Sequence, residues 1–298
     1  MKLEARQHAA KTTHYDRSFK LAIMRERRNS MQPALEDIFM GPMASPSLSE
    51  GYRWEDSRRR VRAVFADVTV ADSKRVMLLL EFGHLPVFYF PMEDVRMDLL
   101  EVSDHRTFSP LKGEAAYRTL RVGDRVAQNV AWSYPHPLPE GPEIEGYLAF
   151  YWNQMDAWYE EEERVFAHAR DPYKRVDVLP SSRHVRIILG GVTIADTSRP
   201  QLLLETGLPI RYYLPEQDVQ MDLLEPTETI TRCPYKGKAT YWSARIGEQV
   251  FKDIVWTYRE PLPVCLAVAR FLCFFNERVD AIYVDDELLP KPKTIWSE

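Results

Sequence analysis

The sequence predicts a mainly β protein of the α+β class, built as two tandem modules of small antiparallel sheets with about one helix each. Two observations carry this. The chain matches itself at a fixed offset, and inside each copy short β-prone runs alternate with glycine and proline turns. Laying Val185 on Val61 gives an offset of 124 residues that holds without a gap to Pro139 and Pro263. Matched pairs include Asp72/Asp196, Glu81/Glu205, Gly83/Gly207, Tyr89/Tyr213, Lys112/Lys236, Gly113/Gly237, Tyr117/Tyr241 and Trp132/Trp256. About two in five positions are identical, far above chance for a self-match of fixed period. A unit of ~100 residues is too long for a solenoid repeat and reads as a duplicated domain.

The division that follows is an N-terminal arm at 1–55, a first repeat at 56–163, a linker at 164–180 and a second repeat at 181–298. The arm has no counterpart in the second copy. It begins basic and polar, and a brief helix is expected at 33–40, with Leu35, Ile38 and Phe39 on one face. In the second repeat, Val185–Leu189 and Val192–Ile194 flank Gly190-Gly191 and predict a hairpin. Leu202–Glu205 is a short apolar strand ended by Gly207 and Pro209. Ile210–Leu214 is aromatic and β-prone and stops at Pro215. Val219–Leu224 alternates as a strand. Ala239–Ile246 turns at Gly247 and returns as Val250–Tyr258. The segment 264–275 is the best helix candidate, with a partner at 143–152, and a last strand is expected at Ala281–Val284.

Bulk properties narrow the function classes. The 298 residues are 45% hydrophobic and 28% charged, as in a globular protein. The formal net charge of -5 argues against nucleic acid as a partner, because phosphate neutralisation needs a dense basic face. No apolar run approaches the ~20 residues of a membrane span. Cys233, Cys265 and Cys273 form no CxxC pair, which points to a reduced, cytoplasmic setting without a disulfide framework. The histidines lack metal-ligand spacing, and neither a metal nor a cofactor is expected.

In the second repeat the string E-T-G-L-P-x-R-Y-Y-x-P-x-x-D-V from Glu205 is followed by C-P-Y-K-G from Cys233 and by W-x-Y-x-x-P-L-P from Trp256. The stretch from Arg170 to Val185, R-D-P-Y-K-R-V-D-V-L-P-S-S-R-H-V, looks like a joint between tandem members. These motifs resemble the family called domain of unknown function four-two-seven, over about residues 56–290. The resemblance implies a β-tent fold, similar to Mss4-like and methionine sulfoxide reductase B-like domains, in which two small sheets lean together over a cleft. The family is sometimes labelled nucleotidyltransferase, yet no Gly-Ser followed by Asp-x-Asp is present to hold metal and triphosphate.

The first copy departs from the pattern. Phe82, Val87, Phe88, Ser109 and Leu111 stand where the second has Thr206, Arg211, Tyr212, Cys233 and Tyr235. Each change removes a polar, reactive or hydroxyl group, so any ligand site is expected in the second copy, with the first as scaffold or holder of a more apolar site. Glu205, at the end of an apolar strand, is the candidate acid/base or ligand acceptor; the alternative is a buried carboxylate paired with Lys or Arg. Lys236, before a turn glycine, is the candidate anion holder, and otherwise a salt-bridge partner of Glu205. Cys233 lies three residues from Lys236 and is a candidate nucleophile, or else a packed small residue. Arg211, Tyr213, Tyr235, Tyr241 and Trp256 would line a substrate-binding wall, or else fill ordinary core.

The leading function is a small-molecule-binding protein with an acid/base and anion-holding cleft in the second repeat, and the residues leave open whether it is an enzyme. The alternative is a noncatalytic interaction or dimerisation module, a homodimer being compatible with either. Nucleotidyl transfer is the third reading. Convergence of Glu205 and Lys236 on an open pocket favours the first reading, and a paired, sealed arrangement favours the second.

Overall fold

A computed structural model describes residues 51–297. The expected arm, apart from its last five residues, and its helix at 33–40 lie outside these. The first repeat contains β1 (Tyr52–Asp56), β2 (Val61–Phe65), β3 (Val68–Ser73), β4 (Met77–Glu81), β5 (Val87–Pro91), β6 (Leu100–Ser109), β7 (Gly113–Val122), β8 (Arg125–Ser133), β9 (Tyr147–Phe150), β10 (Ala157–Glu160) and β11 (Glu163–Val165). The second contains β12 (Val176–Pro180), β13 (Val185–Leu189), β14 (Val192–Thr197), β15 (Gln201–Glu205), β16 (Arg211–Leu214), β17 (Leu224–Cys233), β18 (Gly237–Ile246), β19 (Gln249–Pro261), β20 (Leu272–Phe274), β21 (Ala281–Val284) and β22 (Glu287–Leu288).

Each repeat makes one seven-stranded and one four-stranded antiparallel sheet. The large sheets run β1-β4-β5-β9-β8-β7-β6 and β12-β15-β16-β20-β19-β18-β17, in the same order. The small ones run β11-β10-β2-β3 and β14-β13-β21-β22. The mainly β class and the doubled module are therefore present, and the duplication reaches one strand further upstream than the sequence match. β1 and β12 occupy equivalent edge positions against β4 and β15. β12 falls inside the stretch read as a linker.

Two cores explain why β4 and β15 are nearly continuous apolar runs. In the first repeat, Leu78, Leu80, Phe88 and Phe90 join Val61, Ala63 and Trp158 in a core between the two sheets. Leu79 and Tyr89 point the other way and join Tyr117, Tyr134, Trp132 and Val87 on the outer face of the large sheet. A strand buried on both faces reads as unbroken leucine, and Glu81 continues the alternation on the Leu79 face.

The expected helix at 264–275 is not an α-helix. Pro263–Val268 forms a short 3-10 helix, Arg270 takes a left-handed conformation at φ 64, and the chain then enters β20. Leu272, Cys273 and Phe274 are all buried, because β20 lies between β16 and β19 with cores on both sides. A short run buried all round carries no period that separates strand from helix. The partner at 143–152 becomes β9 for the same reason. Val219–Leu224 likewise differs: Glu216–Asp218 and Met221–Leu223 are 3-10 turns, and a ten-residue strand starts at Leu224. No helix among the described residues is long and apolar enough to cross a membrane.

Candidate functional site

The outer face of the second large sheet gathers the residues expected to carry chemistry. Cross-strand register places Leu203 opposite Arg211, and Tyr213, Cys273, Trp256 and Tyr241 in one lateral row. Residues two apart share a face, so Glu205 lies on the same side as Leu203 and Arg211. Lys236 arrives from the turn between β17 and β18, which closes with Cys233 opposite Gly237. Gly237 sits at φ 104, where an added Cβ would meet the Glu260 carbonyl oxygen and the Leu262 amide at 3.4 Å. Glycine thus lets the turn fold back and direct Lys236 inward.

The Glu205 carboxylate is held by two ammonium groups. Oε2 pairs with Lys236 Nζ, and Oε1 with Lys174 Nζ at 3.2 Å. The side chains are 3% (Glu205), 13% (Lys236) and 6% (Lys174) exposed. Burial works against the Glu205 charge, but Lys236 and Lys174 outweigh it and hold the carboxyl below its ordinary value. Burial also disfavours the Lys236 ammonium, while Cys233 and Glu205 more than compensate and hold it above the usual lysine range.

Lys174 belongs to the segment between the repeats, which is strapped to the Cys233–Gly237 turn. The Asp171 amide donates to the Tyr235 hydroxyl at 2.7 Å, and Arg170 Nε donates to the Pro234 carbonyl at 3.0 Å. The Lys174 ammonium stands 5.6 Å from the Tyr235 ring centroid. His168 packs edge-on to Tyr235, its Nδ1 donating to the Ala169 carbonyl at 2.7 Å. Burial pushes its pKa down to about 4. On the other side, Tyr173 donates to Glu55 at 2.8 Å, and Arg53 lies over its ring at 4.7 Å. The strap therefore touches both repeats.

Arg211 is paired as well. It makes a bidentate bond to Glu277, with both contacts at 2.7 Å. Its guanidinium lies 5.6 Å from the Trp256 centroid and 5.3 Å from that of Trp296 in the C-terminal tail. Thr294 Oγ1 donates to Glu277 at 2.7 Å and fixes the tail there. Trp256 Nε1 donates to the Tyr213 hydroxyl at 3.0 Å, and Tyr241 shares a 2.8 Å bond with Thr231. Tyr213, Tyr235, Tyr241 and Trp256 are buried, and Cys233 is half-buried beside the lysine turn. Lys174, His168, Glu277 and Trp296 escaped sequence reasoning. One signal was available: Arg211 replaces Val87 of the first copy, and Glu277 replaces Asn153 at the same offset, so both halves of the ion pair appear together. Among the described residues, no group of three or more His, Cys, Asp or Glu side chains could hold a metal ion.

A family model described as domain of unknown function (DUF427) matches residues 53–161 and again 177–285. The chain belongs to this family. No curated protein matches it. The two matched spans begin at equivalent positions, in β1 and β12.

The first DUF427 copy has the same frame without the fillings. Lys112 Nζ pairs with Glu81 Oε2, as Lys236 does with Glu205. The other oxygen of Glu81 faces His84 Nε2 at 3.7 Å, and among the described residues no further polar group pairs with this carboxylate. Glu81 is 19% and His84 59% exposed. Val87 stands in place of Arg211. Tyr151, where the second copy has buried Phe275, is exposed and packs against Trp132 with centroids 4.7 Å apart.

Proposed function

We propose that this DUF427 protein is a noncatalytic small-molecule-binding module in which the second repeat is closed by its own chain and the first repeat receives the ligand. One observation supports this above the others: both oxygens of Glu205 are taken by lysines of the chain itself. A general acid or base works best with a pKa near the operating pH. Glu205 is pushed down and Lys236 up, so neither is poised to exchange a proton at neutral pH. Arg211, the cation expected in the substrate-binding wall, has its charge met by Glu277. A paired, sealed Glu205 is the arrangement assigned above to a noncatalytic interaction module. Our reading shares its noncatalytic part but keeps a ligand site, moved from the second copy to the first, whose matching carboxylate is less covered.

A second reading retains the expected cleft. Glu205, Lys236, Lys174 and Cys233 form a buried polar centre, and a ligand that displaced the strap would meet an acceptor, an ammonium and a thiol together. Amide-resolved NMR of the full chain with a small-molecule library separates the two. We expect binders to shift amides of β4, β5 and β7 while Glu205→Gln leaves their affinity unchanged. Loss of binding in a folded Glu205→Gln protein, or turnover dependent on Glu205, overturns the proposal in favour of the second reading.

A further inference from the structure

We infer that the first repeat binds a primary ammonium at Glu81, in the place the Lys174 side chain fills in the second repeat. The inference deepens the proposed function and rests on it. Duplication supplies the comparison: the same local frame occurs twice, once with a second ammonium seated on the carboxylate and once, among the described residues, without it.

The frames agree position for position. Tyr52 faces Glu81 and Val176 faces Glu205 across equivalent strand pairs. The next amide donates back in both, Phe82 to the Gly51 carbonyl and Thr206 to the Arg175 carbonyl, each at 3.0 Å. Each carboxylate gives one oxygen to the turn lysine. At the other oxygen they part. Glu205 receives Lys174 at 3.2 Å; Glu81 has His84 at 3.7 Å, beyond hydrogen-bond length. The residue matching Lys174 at the common offset is Glu50, a carboxylate, which cannot supply the second cation. Access differs in the same sense, with Glu81 19% exposed against 3% for Glu205.

The chemistry of the seated group sets the ligand class. Lys174 brings an N–H donor on an unbranched alkyl stem. Leu111 replaces the Tyr235 ring over which that ammonium sits, so the first repeat offers apolar contact in place of a cation–π face. An alkyl primary ammonium meets both conditions. A quaternary ammonium has no N–H to donate to Oε1 and favours aromatic cages.

The test uses n-butylammonium, an analogue of the lysine side chain, titrated into the full chain at neutral pH and low salt by calorimetry and NMR. We expect one saturable site, with shifts centred on Glu81 and His84. Tetramethylammonium and n-butanol should bind at least about tenfold more weakly, since the first has no N–H to donate and the second has no positive charge to pair with the carboxylate. The double variant Glu81→Gln with Lys112→Met removes the pair without leaving a lone buried charge, and should abolish the site. Lys174→Ala should open a second site, raise the stoichiometry from one to two, and regain thermal stability when n-butylammonium is added. Absence of a saturable site, indifference to the double variant, or equal binding of tetramethylammonium overturns the inference. If ammonium fails while other small molecules still shift the first-repeat face, the inference alone falls; if nothing shifts that face, the proposed function falls with it.

Discussion

His168 shows how much of this chain's pH response rests on single buried groups. It is held neutral in the fold, its pKa moved from 6.5 down to about 4 by burial, with Lys174, Glu205 and Asp171 around it. The unfolded chain therefore binds a proton in a window where the folded chain does not. Stability is full above pH 6.5 and is lost as pH falls toward 4, by about 3 kcal/mol at 1.36 kcal/mol per unit. Glu205 acts in the same direction at lower pH: its depressed pKa gives stability that is present above 4.5 and lost as its folded pKa is crossed. Urea unfolding at a series of pH values should thus show a slope between 4 and 6.5 that His168→Gln flattens. An unchanged slope in the variant would remove His168 from the explanation.

At the scale of elements, turns determine where the charged groups sit. Gly237→Ala forces a side chain into φ 104 and against the Glu260 carbonyl, at a cost of about 1–3 kcal/mol in urea unfolding. A change within ~0.5 kcal/mol would mean that the turn tolerates a Cβ and does not fix Lys236. Such turns were also the most readable part of the sequence. Gly190-Gly191 and Gly247 marked their hairpins, and Leu202–Glu205 with Ile210–Leu214 marked β15 and β16. What could not be read has a common physical origin. β9 and β20 lie inside a sheet with cores on both sides, so their apolar runs lack a period and resemble helices. Lys174 sits in a segment rich in charge and proline that reads as a tether, and its role depends on a contact 31 residues away in sequence. The grouping of Glu205 with Lys236 was legible, because both copies retained the pair at the same offset. Its occupation by a third residue was not, because the first copy has no matching lysine.

Across the whole molecule, one module has been used in two ways. The second copy carries Arg211 with Glu277, and is covered by the Lys174 strap and by Trp296 of the tail. The first copy has the Glu81–Lys112 pair, with an exposed histidine beside it. Buried ion pairs cost desolvation when formed, and removing one partner leaves a charge that is expensive to bury. Filling the second site therefore fastens the segment between the repeats onto the turn it covers. The most direct measurement of that claim is a double-mutant cycle in urea unfolding, with Lys174→Met, Glu205→Gln and the pair together. The account predicts a coupling of about 1–3 kcal/mol between the two positions. Additive effects, within ~0.5 kcal/mol, would contradict it by showing that Lys174 stabilises the strap without engaging the carboxylate.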